Sequence, residues 1–318
     1  MAVLTKIPEA ELKKVLEDNY FGLLPIRKIT GILEGVENTN YKINAESGDY
    51  IFTLIERRLD LQGLQRCLEL MYHMHYNRIP CPLPVYQVND RKVTAHIHFG
   101  KPACVVTFMP GKSLGETAMH LEQFYALGAV CARINSSGLG AAVGMPINPL
   151  GKDGILALAE TLQGKFGEND TLVNGVIAAL KQADFKQLET GLCHGDLFPD
   201  NVFYEGNAIS GVIDWYFACM DTLAYDLAIV LSAWCFRPGQ ETKWSENAEK
   251  YIIEGYDSVR KLTPEERAAL PLLCQLAALR FYLTRLQDSL TQRKGALIDK
   301  DPNEYANKLR FFSTWPGI

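Results

Sequence analysis

The sequence predicts an α+β chain of two lobes, a small antiparallel β-rich N-lobe over residues 1–108 and a larger, mainly helical C-lobe over residues 109–318. Three observations lead there. A length of 318 residues exceeds what one hydrophobic core usually serves. The first third alternates apolar and polar residues with period two, broken by one helical stretch, and beyond Pro110-Gly111 the spacing of apolar residues turns helical.

In the N-lobe, Ile26 to Leu33, Thr39 to Ala45 and Tyr50 to Glu56 alternate as strands do. Glu46-Ser47-Gly48-Asp49 supplies turn residues between the last two, giving an antiparallel meander. Leu61 to Tyr76 then carries apolar residues at helical spacing and is stopped by Pro80-Cys81-Pro82-Leu83-Pro84. Two further strands are expected around Asn89-Asp90 and up to Phe108. Past residue 110 the expected helices are Leu121 to Ser136, Asp153 to Phe166, Leu172 to Ala183, Tyr225 to Cys235, Glu246 to Arg260, Pro264 to Thr291 and Asn303 to Phe312. Only one segment interrupts them with strands, Leu192-Cys193 and Ile209 to Ile213. No repeat or low-complexity linker separates the lobes, so they join directly through Phe108 to Lys112.

The composition narrows the partners. With 47% hydrophobic and 22% charged residues there is material for sizeable cores, and a net charge of -5 offers no general attraction to nucleic acid. No window has the 18 or so uninterrupted apolar residues of a membrane span, since even Leu223 to Cys235 contains Asp226 and Ser232. Acids stand in Met1 to Glu11 where a secretory signal would have its apolar centre, so a cytoplasmic location and small-molecule partners are expected. The eight cysteines sit in apolar surroundings without a CxxC pair, as reduced core residues do. His73/His75 and His96/His98 do not suggest a metal, because a spacing of two on a helix splits the rings and two imidazoles on a strand make a poor site.

The strand-flanked segment holds the chemistry. His194-Gly195-Asp196-Leu197-Phe198-Pro199-Asp200-Asn201, followed by Ile213-Asp214-Trp215, has the residue types of metal-assisted phosphoryl transfer. That reaction needs an oriented hydroxyl and a metal held against phosphates, with little covalent work from the protein. Asp196 is placed to accept the proton of an attacking hydroxyl, and Asn201 and Asp214 offer the hard oxygens that Mg²⁺ prefers. His194 is expected to hold the loop by hydrogen bonds. Without chemistry, the same residues would make a turn with a capping Asp between two strands.

On these residues the chain resembles the superfamily of aminoglycoside phosphotransferases and choline kinases, whose fold is similar to that of protein kinases. Four further segments resemble, more narrowly, the homoserine kinases of that superfamily: Gly35-Val36-Glu37-Asn38-Thr39-Asn40-Tyr41, Phe52-Thr53-Leu54-Ile55-Glu56-Arg57-Arg58, Ile213 to Cys219 with Tyr225-Asp226-Leu227-Ala228, and Arg280-Phe281-Tyr282-Leu283-Thr284-Arg285-Leu286. The resemblance implies a kinase-like fold using ATP and Mg²⁺, with L-homoserine as acceptor and O-phospho-L-homoserine, on the route to threonine, as product. It places Gly35, Glu37, Asn38, Thr39 and Asn40 in a nucleotide loop, adenine against the backbone of Thr107, Phe108 and Met109, and Asp226 behind the catalytic loop. By themselves Gly31 and Gly35 would equally bracket an ordinary hairpin.

The resemblance has a gap. Kinase-like small lobes carry a Lys or Arg on the third strand, where this chain has Thr53, and Glu69 is not clearly its helical partner. Arg57 or Arg58 would be the substitute, or else a solvated strand-end charge, so the phosphate-binding cation stays open. Gly111-Lys112-Ser113 is no P-loop, because Val106 stands where the first glycine belongs.

For the acceptor, Arg280 or Arg285 is the expected carboxylate clamp, with Tyr216 and Asp221 near the ammonium. A spacing of five turns the two arginines about 140° apart on a helix, so one of them at most faces a ligand, and an internal salt bridge such as Arg285 with Asp288 is the plainer role. Two other readings stay open: a kinase of the same fold for choline, ethanolamine, methylthioribose or an aminoglycoside, and a catalytically silent nucleotide-binding protein.

Overall fold

The computed structural model describes residues 4–33, 38–57, 59–88, 94–114, 119–138, 144–237, 240–291 and 301–318. They form two compact units, one up to Pro110 with Ser210–Tyr216, the other from Gly111 to Ile209 and from Phe217 onward.

In the first unit a five-stranded sheet has the order β1-β2-β3-β5-β4, with β1 Ile26–Gly31, β2 Thr39–Ala45, β3 Gly48–Leu54, β4 His96–His98 and β5 Lys101–Thr107. Every neighbouring pair is antiparallel, in the register Asn40↔Thr53↔Cys104 across β2, β3 and β5. The predicted alternation sorts the two faces. Tyr41, Ile43, Phe52, Leu54 and Val105 are buried with Leu12, Leu16 and Tyr20, whereas Asn40 and Lys42 turn the other way. Leu12 and Leu16 belong to a helix that the sequence reading did not anticipate, α1 Glu9–Asn19, because its apolar stripe is only two fully buried residues wide in a charged surround. Helix α2, Leu61–Tyr76, starts where Asp60 accepts the Gly63 amide at 2.7 Å and buries Leu64, Leu68, Met71 and Met74. Asn89-Asp90, the expected strand connection, and Arg58 lie outside the described residues.

The second unit is built on helices: α3 Leu121–Asn135, α4 Lys152–Thr161, α5 Asp170–Gln182, α6 Leu223–Trp234, α7 Glu246–Asp257, α8 Pro264–Leu290 and α9 Pro302–Phe312. Helix α6 is buried on nearly all sides and packs on α8, as its continuous apolar run requires. Helices α3 and α7 approach at glycines. A Cβ on Gly128 would stand 1.9 Å from the Ile252 carbonyl oxygen, and one on Gly255 2.0 Å from that of Tyr125. A reciprocal capping box between Thr263 and Glu266, with Pro264 at the first position, opens α8.

Strands here are short. Thr190–Cys193 (β7) pairs antiparallel with Cys219–Thr222 (β10), and Lys112–Ser113 (β6) with Val202–Glu205 (β8). Strand β9, Ala208–Val212, carries the chain from the second unit into the first. The expectation that only the catalytic segment interrupts the helices needs correction. Phe236–Arg237 (β11) and Gln240–Trp244 (β12) also pair, as does β6, and two-residue ladders are too short to write a period in the sequence.

Candidate active site

The loop from His194 to Asn201 leaves the end of β7 and closes in a 3₁₀ turn, Pro199–Asn201, whose proline sits at the position that tolerates a missing N–H. Asn201 is buried, and its Nδ2 donates to both the Asp196 carbonyl at 2.8 Å and Asp196 Oδ2 at 3.0 Å. The amide nitrogen is thereby directed at Asp196, which turns the lone pairs of Oδ1 away from that residue. Asp196 itself is half-buried. His194 is fully buried, and its Nδ1 accepts the Asp196 amide at 3.3 Å. The Leu197 carbonyl accepts the Trp234 indole N–H at 2.7 Å.

Asp226, near the start of α6, is completely buried and holds the loop from behind. Its Oδ2 accepts the His194 amide and its Oδ1 the Gly195 amide, both at 2.9 Å. Burial pushes this carboxyl above its usual range, and the two amides, Asn135 and the nearby Arg280 oppose that rise. Asn135 of α3 donates to Asp226 Oδ2 at 3.1 Å and to the Leu192 carbonyl at 3.0 Å. Tyr256 donates to Asn135 Oδ1 at 2.9 Å, and Arg260 donates to the Tyr256 hydroxyl at 3.2 Å and to Glu266. Three helices therefore meet behind the loop. The sequence reading found Asp226 but neither Asn135 nor Tyr256, whose partners are too far along the chain to leave a local signal.

Three of the four acceptor candidates, Arg280, Arg285 and Asp221, are engaged within the second unit. Arg285 donates to Glu304 at 2.5 Å and to the Asp301 carbonyl at 3.1 Å, with its guanidinium 4.5 Å from the Tyr305 ring centre. Glu304 belongs to α9, the helix that follows. Arg280 is 2% exposed, and its Nη1 donates to the Gly195 carbonyl at 2.7 Å. Asp221 accepts Asn148 Nδ2 at 2.7 Å and the Thr222 amide, fastening the loop before α4, and burial raises its carboxyl. The structure gives each of these side chains an internal task.

The first unit holds the other predicted residues. Asp214 sits at φ +62°, a left-handed conformation uncommon outside glycine, immediately before the 3₁₀ turn Trp215–Phe217. Its segment is tied down within the unit. Ser210 Oγ donates to the Pro110 carbonyl and the Val212 amide to that of Pro80, both at 2.7 Å. Tyr216 points its hydroxyl at Thr53 and Cys104, and burial drives that phenol well above its usual range. Thr53 donates in turn to Asn40 Oδ1 at 2.7 Å. The strand position where the kinase-like pattern has a cation is therefore filled by a neutral hydrogen-bonded chain of Asn40, Thr53 and Tyr216.

Asn38 Oδ1 accepts the Glu56 amide at 3.3 Å. Thr39 is fully buried and lies on the core face, accepting the Thr5 amide at 3.0 Å and donating to Glu56 at 2.5 Å, so its side chain anchors the strand. Gly35 and Glu37 lie outside the described residues. Thr107, Phe108 and Met109 line a pocket of about 360 Å³ together with His75, Arg78 and Cys81. The Thr107 and Phe108 amides donate to the Leu83 and Asp49 carbonyls, both at 2.9 Å, and Lys42 Nζ lies 3.8 Å over the Phe108 ring. Among the described residues no three His, Cys, Asp or Glu side chains gather as a metal cluster, and no helix is long and apolar enough to cross a membrane.

The model of the phosphotransferase enzyme family matches residues 28–262. The homoserine kinase of Beijerinckia indica is 40% identical over 99% of this chain and 97% of its own, and that of a Chelativorans species 42% over 98% and 95%. The homoserine kinase of Rhizobium meliloti is 41% identical over 98% of this chain and 94% of its own. Among solved structures, an amicoumacin kinase bound to AMP-PNP, Ca²⁺ and its antibiotic superposes with a TM-score of 0.71 at 20% identity, over 96% of this chain and 92% of that one. A spectinomycin phosphotransferase with ADP and spectinomycin gives 0.70 at 15% identity, over 96% and 95%. At such identities the structures establish the fold, a protein-kinase-like phosphotransferase fold. The full-length identities establish more: this chain belongs to the phosphotransferase enzyme family, in the group formed by the homoserine kinases.

Proposed function

We propose that the protein transfers the γ-phosphoryl group of ATP to the hydroxyl of L-homoserine, giving O-phospho-L-homoserine, a step toward threonine. The observation that carries this reading is identity of 40–42% to homoserine kinases over nearly the whole chain. The loop supports it chemically. Asp196 receives the proton of the acceptor hydroxyl as the oxygen attacks, and Asn201 keeps the carboxylate turned for that task through its hydrogen bond to Oδ2. His194 and Asp226 hold the backbone on either side, so the carboxylate need not reorganise during the reaction.

Asn201 and Asp214 are the residues we assign to Mg²⁺. The donors fit: an amide oxygen left facing away from Asp196 and a carboxylate are both hard oxygen ligands. Held there, the ion would supply charge neutralisation for the transferring phosphate. For the nucleotide we assign the lobe of residues 1–108, with the segment of Gly35, Glu37, Asn38, Thr39 and Asn40 for the phosphates and the backbone of Thr107, Phe108 and Met109 for adenine. The C-lobe, residues 109–318, takes the acceptor. Neither Arg280 nor Arg285 is assigned to its carboxylate, since both guanidiniums have internal partners. With ATP and a free amino acid as its substrates, the reaction is one we assign to the cytoplasm.

A coupled assay of ADP release tests the reading. Homoserine should stimulate turnover strongly with ATP and Mg²⁺, and a chelator should abolish it. Absence of stimulation in a folded, nucleotide-binding preparation would refute it.

A further inference from the structure

Arg280 sits in an unusual place for a charged residue. It is 2% exposed, its guanidinium carbon lies 4.7 Å from the Phe281 ring centre and 5.6 Å from that of Phe217, and its buried Nε has no hydrogen-bond partner. A buried cation needs compensation. Here the carboxylates of Asp226 and Asp221 are close enough to interact electrostatically, and one strong hydrogen bond goes to a backbone carbonyl, that of Gly195.

That carbonyl belongs to the peptide that leads into Asp196. Its oxygen accepts Arg280 Nη1 at 2.7 Å, and its N–H, the Asp196 amide, donates to His194 Nδ1 at 3.3 Å. The preceding peptide is held by the Gly195 amide on Asp226 at 2.9 Å. Gly195 between them is at φ +75°, and a Cβ there would stand 2.8 Å from the Phe217 carbonyl oxygen. A glycine hinge is free to rotate unless both adjoining peptides are pinned. Asp226 pins one and Arg280 the other.

We infer that Arg280 is a positioning residue, which fixes the orientation of the Gly195–Asp196 peptide and through it the direction of the Asp196 carboxylate. This rests on the proposed kinase activity for its kinetic arm only. The role differs from a substrate clamp in what it does to the kinetics: a misdirected base lowers kcat for every acceptor, whereas a lost clamp raises KM for acceptors that carry a carboxylate.

The test compares R280M and R280K with the wild type. In R280M, amide exchange in a peptide spanning residues 193–198 should accelerate by roughly tenfold or more while exchange in α3 and α7 stays protected. Turnover of homoserine should fall by roughly ten- to hundredfold with KM within about threefold. Homoserinol, which lacks the carboxylate, should lose turnover by the same factor, and R280K should recover part of both losses. Unchanged exchange in the loop, or a KM for homoserine raised more than about tenfold with kcat and homoserinol use preserved, would overturn the inference in favour of a clamp or of no role. Should R280M fail to fold, R280K is read by the same measurements, with a smaller loosening of the 193–198 amides expected and none of it overturning the inference. If the wild type does not use homoserine, the proposed function fails, and the exchange comparison alone still decides the positioning role.

Discussion

Replacing Asp226 with Asn changes one oxygen for an NH₂ group and removes a charge, with almost no change in shape. In the wild type the carboxylate accepts three hydrogen bonds, from the His194 amide, the Gly195 amide and Asn135 Nδ2. The two backbone donors use different oxygens, so whichever way the asparagine turns, its NH₂ faces one amide N–H. That buried donor then loses its partner at a cost of about 1–3 kcal/mol, and the remaining bonds lose their charge assistance. Burial works the other way, because the same environment that raises this carboxyl no longer has to hold a charge. The net loss should be about 1–3 kcal/mol, or a fall in Tm of about 2–10 °C for a chain of this size. Turnover should suffer more than stability. The loosened peptides carry Asp196, and a displacement of about 1 Å can cost roughly a hundredfold. Urea unfolding and steady-state kinetics on one preparation measure both, with Mg²⁺-ADP affinity as a control that should hardly move. Stability within about 0.5 kcal/mol and turnover within about threefold of wild type would refute the anchoring argument.

Asp196→Asn should bind nucleotide normally but turn over at least roughly a hundredfold more slowly, as single-turnover kinetics with calorimetry would reveal; full activity would remove this carboxylate from the chemistry. Asp214→Ala should uncouple Mg²⁺ from ATP binding, so titration of ATP with and without the ion should give nearly equal affinities, and an intact Mg²⁺ effect would assign the metal elsewhere. All eight cysteines are free and buried, and burial raises the thiols of Cys67, Cys81, Cys104 and Cys219 to about 12. A thiol reagent at neutral pH should therefore label almost none of them in the folded protein and all of them in denaturant, and rapid native labelling would contradict the packing.

Local features were legible in the sequence. Strand β2 and helix α2 have the bounds their periodicity gives, and the long helix from Pro264 is announced by Thr263, Pro264 and Glu266. The contiguous His-Gly-Asp loop exposes its chemistry because phosphoryl transfer needs a base and a metal-ligand oxygen a few residues apart. What stayed hidden depends on distant partners. Nothing beside Arg280 announces a carbonyl 85 positions away, and nothing beside Arg285 announces Glu304 in the next helix. The neutral filling of the Thr53 site requires Tyr216, which returns to the first unit from the far side of the catalytic loop. Helix α1 escaped because a narrow buried stripe among charges looks like a solvated segment.

The central claim is the identity of the acceptor, and competition tests it most directly. The protein, ATP and Mg²⁺ would be incubated with equal concentrations of homoserine, serine, choline, methylthioribose and an aminoglycoside, and the phosphorylated products identified by phosphorus NMR and mass spectrometry. The account predicts O-phosphohomoserine as the dominant product. Preferential phosphorylation of any other member of the mixture, by protein that binds ATP normally, would contradict it.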